Sequence, residues 1–222
     1  MTITWISGQR NKIRRLHRQP PKFLLTGRGN GNIIKKMWRL MRQREKMEFE
    51  EGINMIETKD LILDKGKIDD WKAMYENVWK HEETARYMMW RAKKTEQEGY
   101  EMTQGFVEFQ EVNPTAYFVY EKNSQMPIGF AGMKETSKGV FEDSGIAVGP
   151  SYTGRGYGKQ ILSALLNQAF EELDAQKFIY SCWAENIPSN KLAQSVGFRF
   201  SHFEETIDRR SGKTFIMNYY EK

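Results

Sequence analysis

The chain reads as an α/β protein built on one mixed sheet with helices on both faces. Three observations predict this class. Segments of strand period and helix period follow one another in the order β-α-α-β-β-β-α-β-α-β-β, which fits an α/β sandwich around a mixed sheet. A glycine-rich loop, Thr153-Gly154-Arg155-Gly156-Tyr157-Gly158, joins an apolar strand to a long amphipathic helix. Two turn-rich segments, Lys122-Asn123-Ser124-Gln125 and Arg209-Arg210-Ser211-Gly212, sit between strand patterns and read as hairpins.

The orderly part begins at Met55. Ile56–Leu63 reads as a first strand. Asp69 or Asp70 caps a helix that carries Trp71, Met74, Tyr75 and Val78 at helical spacing. A short helical piece is expected over Glu83–Trp90, and Thr95 caps a further helix running to about Phe109. Strands follow at Tyr117–Glu121, Ile128–Lys134 and Phe141–Val148. The helix Gly158–Leu173 buries Ile161, Leu162, Leu165, Leu166 and Phe170 on one face. Phe178–Trp183 is a buried strand and Pro188–Val196 a helix. Phe200–Glu205 and Phe215–Tyr219 close the chain as a hairpin.

Charge divides the chain in two. The net charge is +5, yet residues 1–54 hold 13 Lys/Arg against 4 Asp/Glu, while residues 55–222 hold 21 against 25. All of the basicity therefore lies in the N-terminal quarter. That quarter is expected to be a basic extension without stable structure, followed by one domain over residues 55–222. A basic helix from Ile33 to about Glu50 is the structured alternative, with nucleic acid, an anionic membrane or a transit role as its uses. We expect translation to start at Met55 instead. The charge balance changes sign there, and Glu50-Glu51-Gly52-Ile53-Asn54 back-translates to a purine-rich tract resembling a ribosome-binding site. With a single cysteine, Cys182, no disulfide framework exists within the chain and a reducing, cytoplasmic setting is expected. No apolar run reaches the ~20 residues of a membrane span, so no membrane partner is expected. Nucleic acid is not expected as a partner, and a monomer or homodimer is.

The glycine loop is the strongest chemical signal. Glycines let backbone N–H groups approach an anion, and a helix starting at the loop aims its positive end there. A P-loop is excluded, because Thr153 stands where its first glycine belongs and Gln160 follows Lys159. A dinucleotide fingerprint read from Gly154 meets Lys159 at its third glycine. A glycine-rich hairpin or linker is the plain alternative.

With Val148, Pro150 and Tyr152 in front, the loop resembles the coenzyme A loop of the GCN5-related N-acetyltransferases, Gln/Arg-x-x-Gly-x-Gly/Ala; Thr153 departs from the usual first residue. A second stretch, Asn186-Ile187-Pro188-Ser189 with Gly197-Phe198 eight residues on, resembles the late signature of that family. Ser189 and the lack of Tyr at position 193 resemble the RimJ/RimL branch. The resemblance implies a GNAT-like mixed sheet whose central strands, here Phe141–Val148 and Phe178–Trp183, splay apart. It also implies acetyl-CoA as co-substrate, no metal, and direct acetyl transfer to a primary amine of a protein N-terminus or a small molecule. A catalytically silent acyl-CoA-binding or partner-recruiting module is the alternative.

The resemblance assigns roles as follows. Backbone N–H groups of Gly154, Arg155, Gly156, Tyr157, Gly158 and Lys159 meet the diphosphate, with the cations of Arg155 or Lys159 either joining or remaining solvated. Backbone of Ile146, Ala147 and Val148 pairs with the pantetheine arm as an added strand does. The side chain of Asn186 touches that arm or caps its helix. Relatives carry Glu two residues ahead of a Gly on the strand before the loop, which is Asp143 before Gly145. Asp143 is thus the first choice for the group that deprotonates the amine, directly or through water, and Glu142 the second; a solvent-facing acid is the alternative. Strand alternation places Phe141, Asp143 and Gly145 on one face and Glu142 and Ser144 on the other. Position 193 is Ala, so Ser189 is the candidate proton donor to the leaving thiolate, or a helix-capping Ser. Cys182 reads as core. His17, His81 and His202 share no metal spacing. Trp71, Trp79, Met88, Met89 and Trp90 line an acceptor pocket or fill the core.

Overall fold

The computed structural model describes residues 55–208 and 211–222. The expectations for residues 1–54, and the Arg209-Arg210 tip of the last hairpin, lie outside the described residues.

One eight-stranded sheet organises the domain, in the order β1-β2-β3-β4-β5-β6-β8-β7. Its strands are β1 (Ile56–Glu57), β2 (Leu61–Asp64), β3 (Ala116–Glu121), β4 (Pro127–Ser137), β5 (Val140–Val148), β6 (Lys177–Trp183), β7 (Arg199–Ile207) and β8 (Thr214–Glu221). Every neighbouring pair is antiparallel except β5 and β6, which run parallel. The parallel pair needs a crossover, and the glycine loop with its helix supplies it.

The helices are α1 (Trp71–Met74, widened into a π-turn over Tyr75–Trp79), α2 (Glu82–Ala85), α3 (Glu96–Val112), α4 (Tyr157–Asn167, with a π-turn over Gln168–Glu172) and α5 (Ile187–Ser195). Two apolar layers result. On one face Ile161, Leu162 and Leu165 of α4 pack with Tyr117, Val119 and Phe178 of the sheet. On the other, Met74, Val78 and Trp79 pack with Phe118 and Phe130. Alternation along β3 sends Tyr117 and Val119 one way and Phe118 the other, so this strand is buried on both sides.

Local chemistry corrects several expected boundaries. The first strand is broken at Thr58-Lys59-Asp60: the Thr58 hydroxyl accepts from Leu61 N at 3.0 Å and Thr58 N donates to Leu61 O at 2.9 Å, which folds β1 back on β2. Asp70 stands at the N-cap position of α1, as one of the two expected choices, but its side chain makes no cap hydrogen bond to that helix. The chain enters through a 3-10 turn, Ile68–Asp70, and the Asp70 carboxylate reaches back to Lys67 N at 2.9 Å. The piece expected over Glu83–Trp90 is helical only through Ala85. Thr95 caps α3 as expected, accepting from Glu98 N at 3.2 Å. The helix after the loop changes pitch at Gln168, whose side chain is buried and accepts from the Tyr117 hydroxyl at 2.9 Å.

The aromatic group assigned to either an acceptor pocket or the core belongs largely to the core. Trp79 is fully buried, its indole N–H donates to Thr103 Oγ1 at 3.0 Å, and Trp90 packs edge-on at 5.4 Å. Met88 and Trp90 pack against the same cluster, Trp71 meets Tyr100 at 5.9 Å, and Met89 is exposed. Trp79→Ala should therefore cost about 3–5 kcal/mol in urea unfolding. Met89→Ala, at a side chain that is 56% exposed, should change stability by less than about 0.5 kcal/mol.

Candidate active site

β5 and β6 pair over only three positions, Val140–Lys177, Phe141–Phe178 and Glu142–Ile179. Beyond these, β5 continues to Val148 and β6 to Trp183, so the two strands diverge and leave a wedge-shaped gap. Phe178 exchanges both backbone hydrogen bonds with Lys222. By alternation, the N–H groups of Ile179 and Ser181 turn the other way, toward β5.

Asp143 sits where the strands part. Its Oδ1 accepts from Ser181 N at 2.8 Å, so the carboxylate takes the ladder position that backbone would otherwise fill. The Gly145 N–H also donates to it. Burial pushes the Asp143 carboxyl up to about 7, against these two donors, and the neighbouring charge of Glu142 pushes the same way.

A β-bulge follows directly. Gly132 faces Gly145 and Met133 faces Asp143, leaving Ser144 without a partner on β4. The expected alternation holds through Asp143 and then inverts. Phe141 lies in the α4-side cluster, yet so do Ile146 and Val148, whereas Ala147 packs on the opposite side near Trp79. Gly145 carries the bulge at φ +114°, a conformation that side chains rarely adopt. Glu142 lies one residue before the gap, in the last paired position, and the Thr136 hydroxyl donates to its Oε1 at 3.4 Å.

Past the bulge one edge of β5 is left unpaired. Gly149 N donates to Ile128 O on β4, so the N–H and C=O of Ala147 also turn to β4 and those of Ile146 and Val148 turn to the gap. Among the described residues no strand pairs with that edge.

Across the gap, α5 supplies a polar cluster. Asn186 caps the helix, its Oδ1 accepting from Ser189 N at 3.3 Å. The capping role therefore belongs to Asn186 and not to Ser189, and the Asn186 amide NH2 is the part of that side chain left for a ligand. The Ser189 hydroxyl lies 2.6 Å from the Tyr180 hydroxyl, and it is near enough to the Cys182 thiol to favour that thiol's charged form. Cys182 is buried, as expected for core, and burial pushes its thiol up to about 11. Tyr180 is buried as well, and burial with the nearby Asp143 charge raises its pKa far above the ordinary tyrosine value.

The glycine loop opens at the mouth of the gap and leads into α4. Gly154 and Gly156 have φ of +75° and +77°, and a Cβ at either would meet no atom within 4 Å. Space for a ligand therefore lies directly over the loop backbone. Arg155 is committed to the loop: Nη1 donates to Glu121 Oε1 at 3.1 Å, Nη2 to Ser151 O at 2.9 Å, and the guanidinium lies 5.1 Å over the Tyr152 ring. Tyr157 is buried and its hydroxyl donates to the same Glu121 oxygen at 2.7 Å. The Tyr157 hydrogen bond, with smaller contributions from Ser124 and Arg155, holds the Glu121 carboxyl below its ordinary range. Gly158 packs against Leu192 of α5, and Lys159 is exposed.

Four supporting residues escaped the sequence reading: Glu121, Gln160, Tyr180 and Asn190. Gln160 accepts from Thr58 Oγ1 and Asp60 N and donates to Asp60 Oδ2 at 2.7 Å, pinning α4 to the β1–β2 turn. Asn190 donates to the carbonyls of Trp183 and Asn186 and accepts from Asn218 and Tyr220, which locks the start of α5 to β6 and β8. Only a polar tip inside an apolar strand, as at Tyr180, could have been noticed beforehand. Among the described residues no group of His, Cys, Asp and Glu is arranged to hold a metal ion, and no helix is long and apolar enough to cross a membrane.

Comparison with known proteins agrees with this geometry. An uncharacterised N-acetyltransferase of Bacillus subtilis (strain 168), YnaD, is 25% identical over 177 residues, covering 74% of this chain and 94% of that protein. An acetyltransferase of the GNAT family from Bacillus anthracis superimposes with a TM-score of 0.66 at 20% identity, over 76% of this chain and 97% of that one. The ribosomal L7/L12 alpha-N-protein acetyltransferase RimL, in complex with coenzyme A, superimposes with a TM-score of 0.64 at 19% identity, over 76% and 97% of the two chains. Residues 60–199 match the acetyltransferase (GNAT) domain, and with the parted strands and the glycine loop in place, the chain belongs to the GNAT family of acetyltransferases.

Proposed function

We propose that the protein is an acetyl-CoA-dependent N-acetyltransferase that acts on a primary amine by direct transfer. The observation that carries this reading is the parting of β5 and β6 with Asp143 at its apex, beside a loop whose glycines open onto free space. The RimL neighbour, an alpha-N-protein acetyltransferase, favours a protein N-terminus as acceptor over a small-molecule amine. Bound acetyl-CoA would supply an activated thioester.

The chain's residues divide the work. Backbone N–H groups of residues 154–159 hold the diphosphate, reinforced by the N-terminus of α4. Ile146 and Val148 hold the pantetheine arm through their gap-facing backbone, and the Asn186 amide steadies it. Asp143 takes a proton from the incoming ammonium, directly or through one water, because only the neutral amine attacks. As the C–N bond forms and the C–S bond breaks, Ser189 donates its proton to the departing sulfur. The products are the acetylated amine and the free thiol; Asp143 passes its proton to water, and the second proton shed by the nitrogen as the C–N bond forms returns through water to Ser189. Glu121 keeps the loop in shape by holding Tyr157 and Arg155 together.

Two variants test the cofactor loop. Gly156→Val should fill the space over the loop; acetyl-CoA affinity by calorimetry should fall at least about 100-fold, while the strained φ of +77° lowers the melting temperature by only several degrees and leaves the domain folded. Glu121→Gln should raise KM for acetyl-CoA roughly tenfold with kcat nearly unchanged, the pattern of lost uniform binding.

Asp143 gives a signed pH dependence. Below pH 7 its carboxyl is protonated and accepts nothing, so kcat/KM should rise with pH through about 7. Asp143→Asn should remove that rise and lower turnover most at neutral pH, by roughly 10²-fold, with partial recovery at higher pH as free amine accumulates. Because the folded pKa lies above the ordinary value, stability is fullest at low pH and is lost as pH climbs from about 4 to about 7. The Asn variant should therefore melt above the parent at pH 8, which a pair of thermal scans measures.

A further inference from the structure

The Tyr180 hydroxyl has no part in holding the fold's apolar contacts. Tyr180 is 3% exposed and packs its ring against Phe198 at 5.8 Å, yet its oxygen is spent on Ser189 at 2.6 Å. Ser189 has three polar surroundings: Tyr180, the Cys182 thiol and the gap. A serine hydroxyl has one proton to give and two lone pairs to fill. Its use as a donor depends on which neighbour fills a lone pair and which receives the proton.

We propose that Tyr180 is a positioning residue that acts through Ser189: its O–H donates to Ser189 Oγ and so reserves the Ser189 proton for the sulfur in the gap. A phenol is a stronger acid than an alkyl alcohol, so in a short phenol–alcohol pair the phenol is the donor. The Ser189 O–H is thereby turned away from Tyr180. At rest its neighbour is the Cys182 sulfur, an atom of the same kind as the one that leaves during turnover. Tyr180 keeps its own proton throughout, since burial and the adjacent Asp143 oppose a phenolate. Its hydrogen bond shortens as charge develops on Ser189 Oγ, and that oxygen is later reprotonated from water. The amine nitrogen sheds two protons in all: the first leaves through Asp143 to water, and the second, released as the C–N bond forms, replaces through water the one that Ser189 gives to sulfur. The inference rests on the role given to Ser189 above.

A double-mutant cycle tests it, with kcat, KM for acetyl-CoA and the melting temperature measured on the full chain. Tyr180→Phe keeps the ring and removes only the hydroxyl. It should lower kcat roughly tenfold, the worth of one hydrogen bond to a reacting oxygen, and leave KM for acetyl-CoA unchanged. Ser189→Ala should lower kcat roughly 10²-fold. In the Ser189→Ala background, adding Tyr180→Phe should cost less than about twofold, because nothing remains for the phenol to position. An equal loss in both backgrounds, with or without a drop in melting temperature, would assign Tyr180 a structural role and overturn the inference. So would an undiminished kcat in Tyr180→Phe. A parent protein that binds acetyl-CoA and acetylates no amine would instead contradict the proposed function, independently of Tyr180.

Discussion

Two parallel strands that begin as neighbours and then separate must do something with the backbone groups they stop sharing. In this protein the problem falls on Ser181, whose N–H faces β5 after the ladder has ended at Glu142 and Ile179. Leaving that donor unpaired inside the domain would cost roughly 1–3 kcal/mol. Asp143 resolves it with a carboxylate in place of a carbonyl. The bulge at Ser144 then turns β5 so that Ile146 and Val148, rather than Ala147, face the gap with their backbone. The opening, its exposed strand edge and its half-buried acid thus follow from one substitution of side chain for main chain.

That arrangement carries its own chemistry. A carboxylate held by two N–H groups would ordinarily be a strong acid, but burial outweighs them and leaves Asp143 near 7. A group at that pKa is protonated and deprotonated in comparable amounts under neutral conditions, which suits proton removal from an amine. Facing it, Asn190 ties α5 to the end of β6 and to β8, so that Asn186 and Ser189 are presented by a rigid element and not by a loop. Glu121 and Gln160 do the same for the start of α4.

Much of this was legible in the order and type of residues. Strand and helix succession predicted the mixed sheet, and the glycine loop before α4 and Asn186 at the start of α5 stood out as motifs in the residues alone. Periodicity read Ile161, Leu162, Leu165 and Leu166 correctly as the buried face of α4. The misses have a common physical source. Alternation is a local rule and cannot register a bulge set by the partner strand, so the faces past Ser144 were inverted. Thr58-Lys59-Asp60 looked like a continuation of strand because its turn depends on a side-chain hydroxyl and on Gln160, which is 102 residues from Thr58. Glu121 and Asn190 gave no signal, because their partners come from distant segments and their own neighbours in sequence are unremarkable strand and helix residues.

The most direct test of the account is a pH titration of the Asp143 carboxyl carbon by NMR in the free protein, followed together with the Ser181 amide. The carboxyl should titrate with a midpoint near 7, and the Ser181 amide should move with the same midpoint because the two share a hydrogen bond. A carboxyl midpoint near the ordinary value of about 4, with a Ser181 amide that does not respond, would contradict the claim that this acid holds the strands apart and is poised to take a proton.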